Sequence, residues 1–150
     1  MLSGLAFAGA NREPKAGEED GILTALEVSE MDLTRLELAT LSACETGLGM
    51  VGGGEGLLGM QRAFQIAGAR TVIASMWKVD DKATQQLMAE FYARAWDPKK
   101  VVSRAEALRA AQMAMLREGV KRGMVREDDR GEKRVPPYYW AAFVLSGDWR

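Results

Sequence analysis

The run Thr71-Val72-Ile73-Ala74-Ser75-Met76 constrains the fold more than any other part of this chain. It is short, continuous and apolar, and reads as a strand covered on both faces, as in a parallel sheet. Amphipathic helical patterns flank it. On its amino side, roughly Leu57 to Ala67, Leu57, Met60, Phe64 and Ala67 share a face, and Gly68 stands where a helix would end. On its carboxyl side, about Lys82 to Trp96, Ala83, Leu87, Phe91 and Ala95 form an apolar stripe. Asp80 or Asp81 is placed to cap that helix and Asp97-Pro98 to stop it. A helix, a buried strand and a second helix in succession call for a layered α/β domain.

The rest of the chain extends the same alternation. Leu5 to Ala8 reads as a short strand, Asn11 to Gly21 as a loop, and Ile22 to Met31 as a short helix at best. Leu36 to Leu41 reads as a strand. The glycine-rich stretch Gly47 to Gly56 is a loop whose backbone needs conformations that a side chain forbids. Ser103 and Glu106 have the spacing of a capping box, ahead of a helix that turns Leu108, Ala111 and Met115 inward. Gly119 to Pro137 is charged and reads as a surface loop, and Trp140 to Leu145 as the last strand. Tyr138, Tyr139, Trp140 and Trp149 cluster near the C-terminus, where such residues anchor a core or an interface.

The 150 residues make one domain, with a core of ordinary size. A net charge of −1 gives no electrostatic ground for nucleic acid or an anionic membrane as partner. No apolar run reaches the roughly 20 residues of a membrane helix. The apolar stretch at the N-terminus lacks the basic flank of a secretory signal. One cysteine rules out an internal disulfide and fits a reducing cytoplasm. One cysteine with no histidine also rules out the usual zinc sites, and no metal or other cofactor is expected. Gly47-Leu48-Gly49-Met50-Val51-Gly52 matches the dinucleotide fingerprint G-x-G-x-x-G. The glycines continue through Gly53, Gly54 and Gly56, however, so the third glycine does not open the helix. The acidic residue that would hold the ribose is not at the usual spacing, and no Gly-Lys-Ser/Thr follows to make a Walker loop.

That leaves Cys44, in Leu41-Ser42-Ala43-Cys44-Glu45-Thr46-Gly47, where a strand gives way to the glycine loop. A lone cysteine is most often an inert core residue. This position, outside the carboxyl end of a strand of an α/β sheet, is where reactive groups are presented. Small neighbours leave it accessible, and its own amide is placed to serve as an oxyanion donor. A cysteine nucleophile ordinarily needs a base, usually histidine, and the chain has none. Asp80 and Asp81 follow the Thr71–Met76 strand on the same edge. One of them is expected to cap the helix, and a pocket carboxylate there would accept a basic substrate side chain. Trp77 and Lys78 lie in the same loop and would wall such a pocket.

Several motifs, in order along essentially the whole chain, resemble the C-terminal part of the CHAT domain. They are Leu41 to Gly47, Gly53-Gly54-Glu55-Gly56, Phe64 with Ala67-Gly68-Ala69, Ala74 to Asp81, and Tyr138 to Trp149. CHAT is a caspase-like peptidase domain often found behind TPR repeats. The resemblance implies a caspase-like three-layer α/β/α sandwich with a mostly parallel sheet, the N-terminal strands missing from residues 1–150. It implies a histidine–cysteine catalytic pair, with the cysteine at Cys44 and the histidine in an upstream His-Gly motif that this sequence lacks. It implies an acidic residue, Asp80 or Asp81, that binds a basic side chain, and a protein or peptide as substrate. An upstream CHAT or TPR segment is an expected partner. The Leu36–Leu41 strand, without its family neighbour, is expected to leave an exposed edge prone to self-association. A truncated reading frame, a degenerate module and a non-catalytic interaction module all remain open at this point.

Overall fold

β4 (Thr71–Ser75) is buried along its whole length and divides the core in two. In the computed structural model, which describes residues 4–15, 17–42, 55–77, 79–119, 123–127, 131 and 133–150, Val72 and Ala74 face one way and Ile73 the other. That alternation follows from the two-residue period of a strand. β4 pairs in parallel with β3 (Ala39–Leu41) and antiparallel with β7 (Phe143–Gly147). The sheet order is β3-β4-β7.

One core layer gathers Ala39, Leu41, Val72 and Ala74 beneath α1 (Ala25–Glu30) and α2 (Glu55–Ile66). The other gathers Ile73 and Phe143 beneath α3 (Asp81–Ala95) and α4 (Arg104–Glu118). Helices therefore cover both faces, and the expected three-layer α/β/α arrangement is present. Within that arrangement the sheet is mixed: β7 enters it against the direction of its neighbours. A hairpin of β1 (Gly4–Ala6) and β2 (Ile22–Thr24) lies outside the central sheet.

Helix ends are set by local chemistry. α2 closes with both bonds of a Schellman motif, Ala69 N–H to Phe64 C=O and Gly68 N–H to Gln65 C=O. Gly68 has φ of +103°, and a Cβ there would come within 2.9 Å of Thr34. Gly147, at φ +95°, ends β7 where a Cβ would sit 2.3 Å from the Arg70 carbonyl. α1 and α4 each open with a capping box, Thr24 with Glu27 and Ser103 with Glu106. Glu106 accepts from the Ser103 N–H at 3.0 Å, and the Ser103 hydroxyl accepts from the Glu106 N–H at 3.2 Å. These bonds, first the backbone one and then that from the Ser103 hydroxyl, hold the Glu106 carboxyl below its ordinary value of 4.5. A depressed native pKa stabilises the fold above the ordinary value and loses that contribution as pH falls through it. Ser103→Ala removes the cap hydroxyl and is expected to lower stability at neutral pH, the loss of an N-cap typically costing about 1 kcal/mol. In urea melts the difference from the parent should narrow on acidification, and a loss independent of pH would contradict this account of the cap.

Four expectations change. Ile22 to Thr24 form a strand, and the helix begins only at Ala25, where the Thr24 box caps it. Gly119 to Pro137 is not wholly surface. It carries the two-residue strands β5 (Arg126–Glu127) and β6 (Lys133–Arg134), and Met124 and Val135 are buried in the core. Trp140 belongs to α5 (Pro137–Trp140) and not to β7. α2 starts at Glu55, so the glycine-rich stretch is shorter than the sequence suggests. Among the described residues nothing pairs with the outer edge of β3. Alternate residues of a parallel strand send both backbone groups to the same neighbour. Met76 N–H donates to Ala142 C=O and Asp148 N–H to Arg70 C=O, so the even-numbered residues of β4 serve β7 and the odd-numbered ones serve β3; Ala39 and Leu41 then turn their backbone groups to β4 and Thr40 presents its own to the open edge.

Candidate functional site

The register Leu41↔Ala74 brings the carboxyl ends of β3 and β4 level. The helix after β3, α2, packs Met60 and Ala63 on the Val72 and Ala74 face. The helix after β4, α3, packs Ala83, Leu87 and Phe91 on the Ile73 face. Two adjacent parallel strands whose outgoing chains diverge to opposite faces leave a crevice between their ends, and ligands of open α/β sheets bind there. The rim of this crevice carries Ser42 from β3, then Ser75, Met76 and Trp77 from β4, and the start of α3 at Asp80 and Asp81.

The two aspartates differ in how they are held. Asp80 is partly buried and is the N-cap of α3, its Oδ1 accepting from the Ala83 N–H at 2.8 Å. Asp81 is the first helical residue and is exposed. Met76 and Trp77 are exposed at 39% and 41%, large apolar groups standing at the mouth of a crevice. Met76 is anchored through its N–H to the Ala142 carbonyl at 2.7 Å, which ties the start of this loop to β7. Cys44 lies outside the described residues, two positions beyond Ser42, as do Lys78 and the glycines from 47 to 54. The sequence reading passed over Ser75. It is 1% exposed and closes β4. A serine closing an otherwise apolar strand was the available signal.

The family model for the CHAT domain matches residues 1–148. The chain belongs to the CHAT domain family. CHAT domains form a caspase-like, peptidase-related family, and the layered fold and its switch-point crevice accord with that membership. No curated protein matches the chain.

The opposite rim of this CHAT domain is built for cohesion. Glu37, ahead of β3, accepts from Arg104 of α4 at 2.7 Å and faces Arg70, ahead of β4, at 3.2 Å. Arg104 also donates to the carbonyl of Arg150, and Arg150 pairs with Asp148. These bonds fasten the C-terminal segment beneath the sheet. Nearby, a cavity of about 290 Å³ lies between the end of α3 and the start of α4. Of its charged lining, Glu106 belongs to the capping box, Arg94 bonds Glu90 and Asp97 accepts from the Lys99 N–H. Among the described residues no group of three or more His, Cys, Asp or Glu is placed to hold a metal ion. No helix among them is long and apolar enough to cross a membrane.

Proposed function

We propose that this CHAT domain binds an extended peptide along the carboxyl rim of β3 and β4. In this reading it takes a basic side chain onto Asp80 and offers Cys44 as the nucleophile of a caspase-like cysteine endopeptidase. The observation that carries the reading is the divergence of α2 and α3 to opposite faces of the sheet, which opens the crevice at the end of the strand leading to Cys44. Asp80 is preferred over Asp81 on physical grounds. Asp80 is partly buried and held in place by its bond from the Ala83 N–H, whereas an exposed aspartate offers a solvent-screened pair worth little. Hydrolysis needs a thiolate and a proton donor for the leaving amine, and a chain without histidine supplies neither well. The 150-residue chain is therefore proposed to bind and present, not to turn over.

A pair of peptide chloromethyl ketones, one ending in arginine and one in glutamate, tests this on Cys44 by mass spectrometry. The arginine reagent is expected to modify Cys44 faster. Asp80→Asn, which keeps an N-capping side chain but removes the charge, should erase that preference, a loss of about tenfold or more for a charged hydrogen bond. Asp81→Asn should leave it in place. Equal rates for the two reagents on the parent chain would refute the proposal.

The lack of histidine also favours a second reading, in which the same crevice holds a peptide or partner chain without chemistry, as an interaction module of a TPR-associated signalling protein. The two readings part on whether Cys44 reacts faster with an electrophilic peptide once a histidine-bearing segment is restored, as a nucleophile should. A scaffold should bind its partner peptide unchanged, and neither the partner nor Cys44 should respond when a histidine is supplied.

A further inference from the structure

The connection from α3 to α4 carries two large apolar groups into solvent. Trp96 is 58% exposed and Val101 99%, and Pro98, Lys99 and Lys100 between them are exposed as well. Local bonds hold this segment in one shape. The Trp96 N–H donates to the Tyr92 carbonyl at 3.1 Å, and its ring stands 5.3 Å from Tyr92 and edge-on to Phe91. The Asp97 carboxylate accepts from the Lys99 N–H at 2.9 Å and its carbonyl from the Lys100 N–H at 3.2 Å, which closes a turn. Ser103 then caps α4. Apolar residues scattered singly over a surface need no account, but these two border one cavity. Their chain neighbours Asp97, Lys100 and Val102 line the space of about 290 Å³ between the helices. Its apolar wall is Val102 with Ala107 and Ala110 of α4. Sites that enclose a whole small molecule run to about 300–1,000 Å³, so this one is of the size that seats a single side chain of a partner. Its carboxylates are engaged within the fold, Asp97 in the turn and Glu106 in the capping box, with Lys100 near enough to lower the Glu106 carboxyl further. A group approaching from solvent therefore meets the ammonium groups of Lys99 and Lys100.

We propose that this cavity is a docking site for a partner protein, and that it takes one aliphatic side chain from an acidic segment of that partner. The aliphatic group lies against Val102, Ala107 and Ala110. Trp96 and Val101 exclude water around it, and Lys99 and Lys100 pair with the carboxylates that flank it. A tryptophan held by ring contacts loses little freedom on binding, which is why such residues dominate interface energetics. An anionic membrane would answer the two lysines but has no side chain to fill a cavity, so a protein segment is the better fit. The site is separate from the carboxyl rim and does not rest on the peptidase reading; its preference for acidic groups is the opposite of the one assigned to Asp80.

Two fluorescein-labelled peptides test this by fluorescence polarisation, one with a leucine between pairs of glutamates and one with the same leucine between pairs of lysines. The glutamate peptide is expected to bind about tenfold or more tightly than the lysine peptide, and to weaken as salt rises from about 50 to about 300 mM. Replacing its leucine with glycine should lose about tenfold, the worth of burying one aliphatic side chain. Ala110→Leu should fill the cavity, so that the leucine and glycine peptides bind it alike while the salt dependence stays. Lys99→Glu combined with Lys100→Glu, at two exposed positions, should abolish the preference for glutamate. That pair should leave the melting temperature and the reaction of Cys44 with the arginine reagent as in the parent. Equal binding of the two peptides by the parent would overturn the inference. So would a glutamate preference that survives the paired lysine change, or a leucine increment that survives Ala110→Leu, since either would place the peptide elsewhere. Binding to vesicles of phosphatidylserine and phosphatidylcholine, without binding of the glutamate peptide, would assign the lysines to a membrane surface and overturn it too.

Discussion

The purified chain is expected to leave arginine-containing peptides uncut, with turnover indistinguishable from that of its Cys44→Ala variant. A cysteine thiol near its ordinary pKa of about 8.5 is only a few per cent thiolate at pH 7. That fraction suffices for alkylation by a chloromethyl ketone, whose leaving group departs as chloride without help. Amide hydrolysis asks for more. The tetrahedral intermediate returns to substrate unless the amine is protonated as it leaves, and a positioned acid–base group contributes about 10²–10⁴-fold to such steps. No histidine is present in the chain to be that group. Fluorogenic arginine amides, followed over hours with Cys44→Ala as the blank, provide the measurement, and Cys44-dependent release of fluorophore would disprove the expectation. The converse is also open to test. Fusing a His-Gly segment of the family ahead of Met1 should raise the iodoacetamide reactivity of Cys44 at pH 7, with a pH profile moved toward acid. A cysteine that serves only as packing would show the same rate and profile in both proteins.

The central sheet was legible where burial dictated composition. The run Thr71 to Ser75 has to be apolar because both its faces are covered, and no helix of that length competes with it. α3 and α4 were legible because cap, stripe and stop agree: Asp80 or Asp81, then Ala83, Leu87 and Phe91, then Asp97-Pro98 for one, and the Ser103–Glu106 box for the other. Thr24 and Glu27 carry the same box as Ser103 and Glu106. That signal was overridden by the apolar pair Ile22 and Leu23, which fit a helix face as well as a short strand. The direction of β7 was not legible. Whether Phe143 to Gly147 runs with β4 or against it depends on where the chain emerges after α4 and the β5–β6 hairpin, and pairing direction leaves little mark on five residues. Met124 and Val135 were hidden for a related reason, since isolated apolar residues among charges have no period. At the site, sequence placed Asp80 and Asp81 together but did not separate them. The separation comes from one bond, Asp80 Oδ1 to Ala83 N–H, whose existence depends on α3 starting at residue 81 and not one later. Ser75 escaped notice because serine at a strand end is ordinary until its burial is seen.

Phe91→Ala is expected to destabilise the domain by about 3–5 kcal/mol, the range for deleting a fully buried aromatic ring. The ring is fully buried in the cluster that joins Ile73 of β4 to Leu87 of α3 and Leu108, Ala111 and Met115 of α4. It also backs the aromatic pair at the end of α3, with Tyr92 at 5.0 Å and Trp96 edge-on at 6.3 Å. Tyr92 in turn donates its hydroxyl to Thr40 Oγ1 at 2.9 Å, a bond from α3 to the open-edged strand β3. Removing the ring thus leaves a cavity at the junction of sheet, α3 and α4, and loosens the hold of α3 on β3. A domain of this size commonly has about 5–15 kcal/mol in hand, so the variant should sit near the edge of folding at 37 °C. Trp96→Ala, at a ring 58% exposed, should cost far less and serves as the control for aromatic loss without a cavity. Urea titration of the parent and both variants by far-ultraviolet circular dichroism decides the matter, with the midpoint dropping for Phe91→Ala at an unchanged slope. A cost below about 1 kcal/mol would mean that α3 is not packed on the sheet through this ring, because a buried phenylalanine in a close-packed core cannot be deleted so cheaply. In that event the divergence of α2 and α3, on which the crevice depends, would lose its physical basis as well.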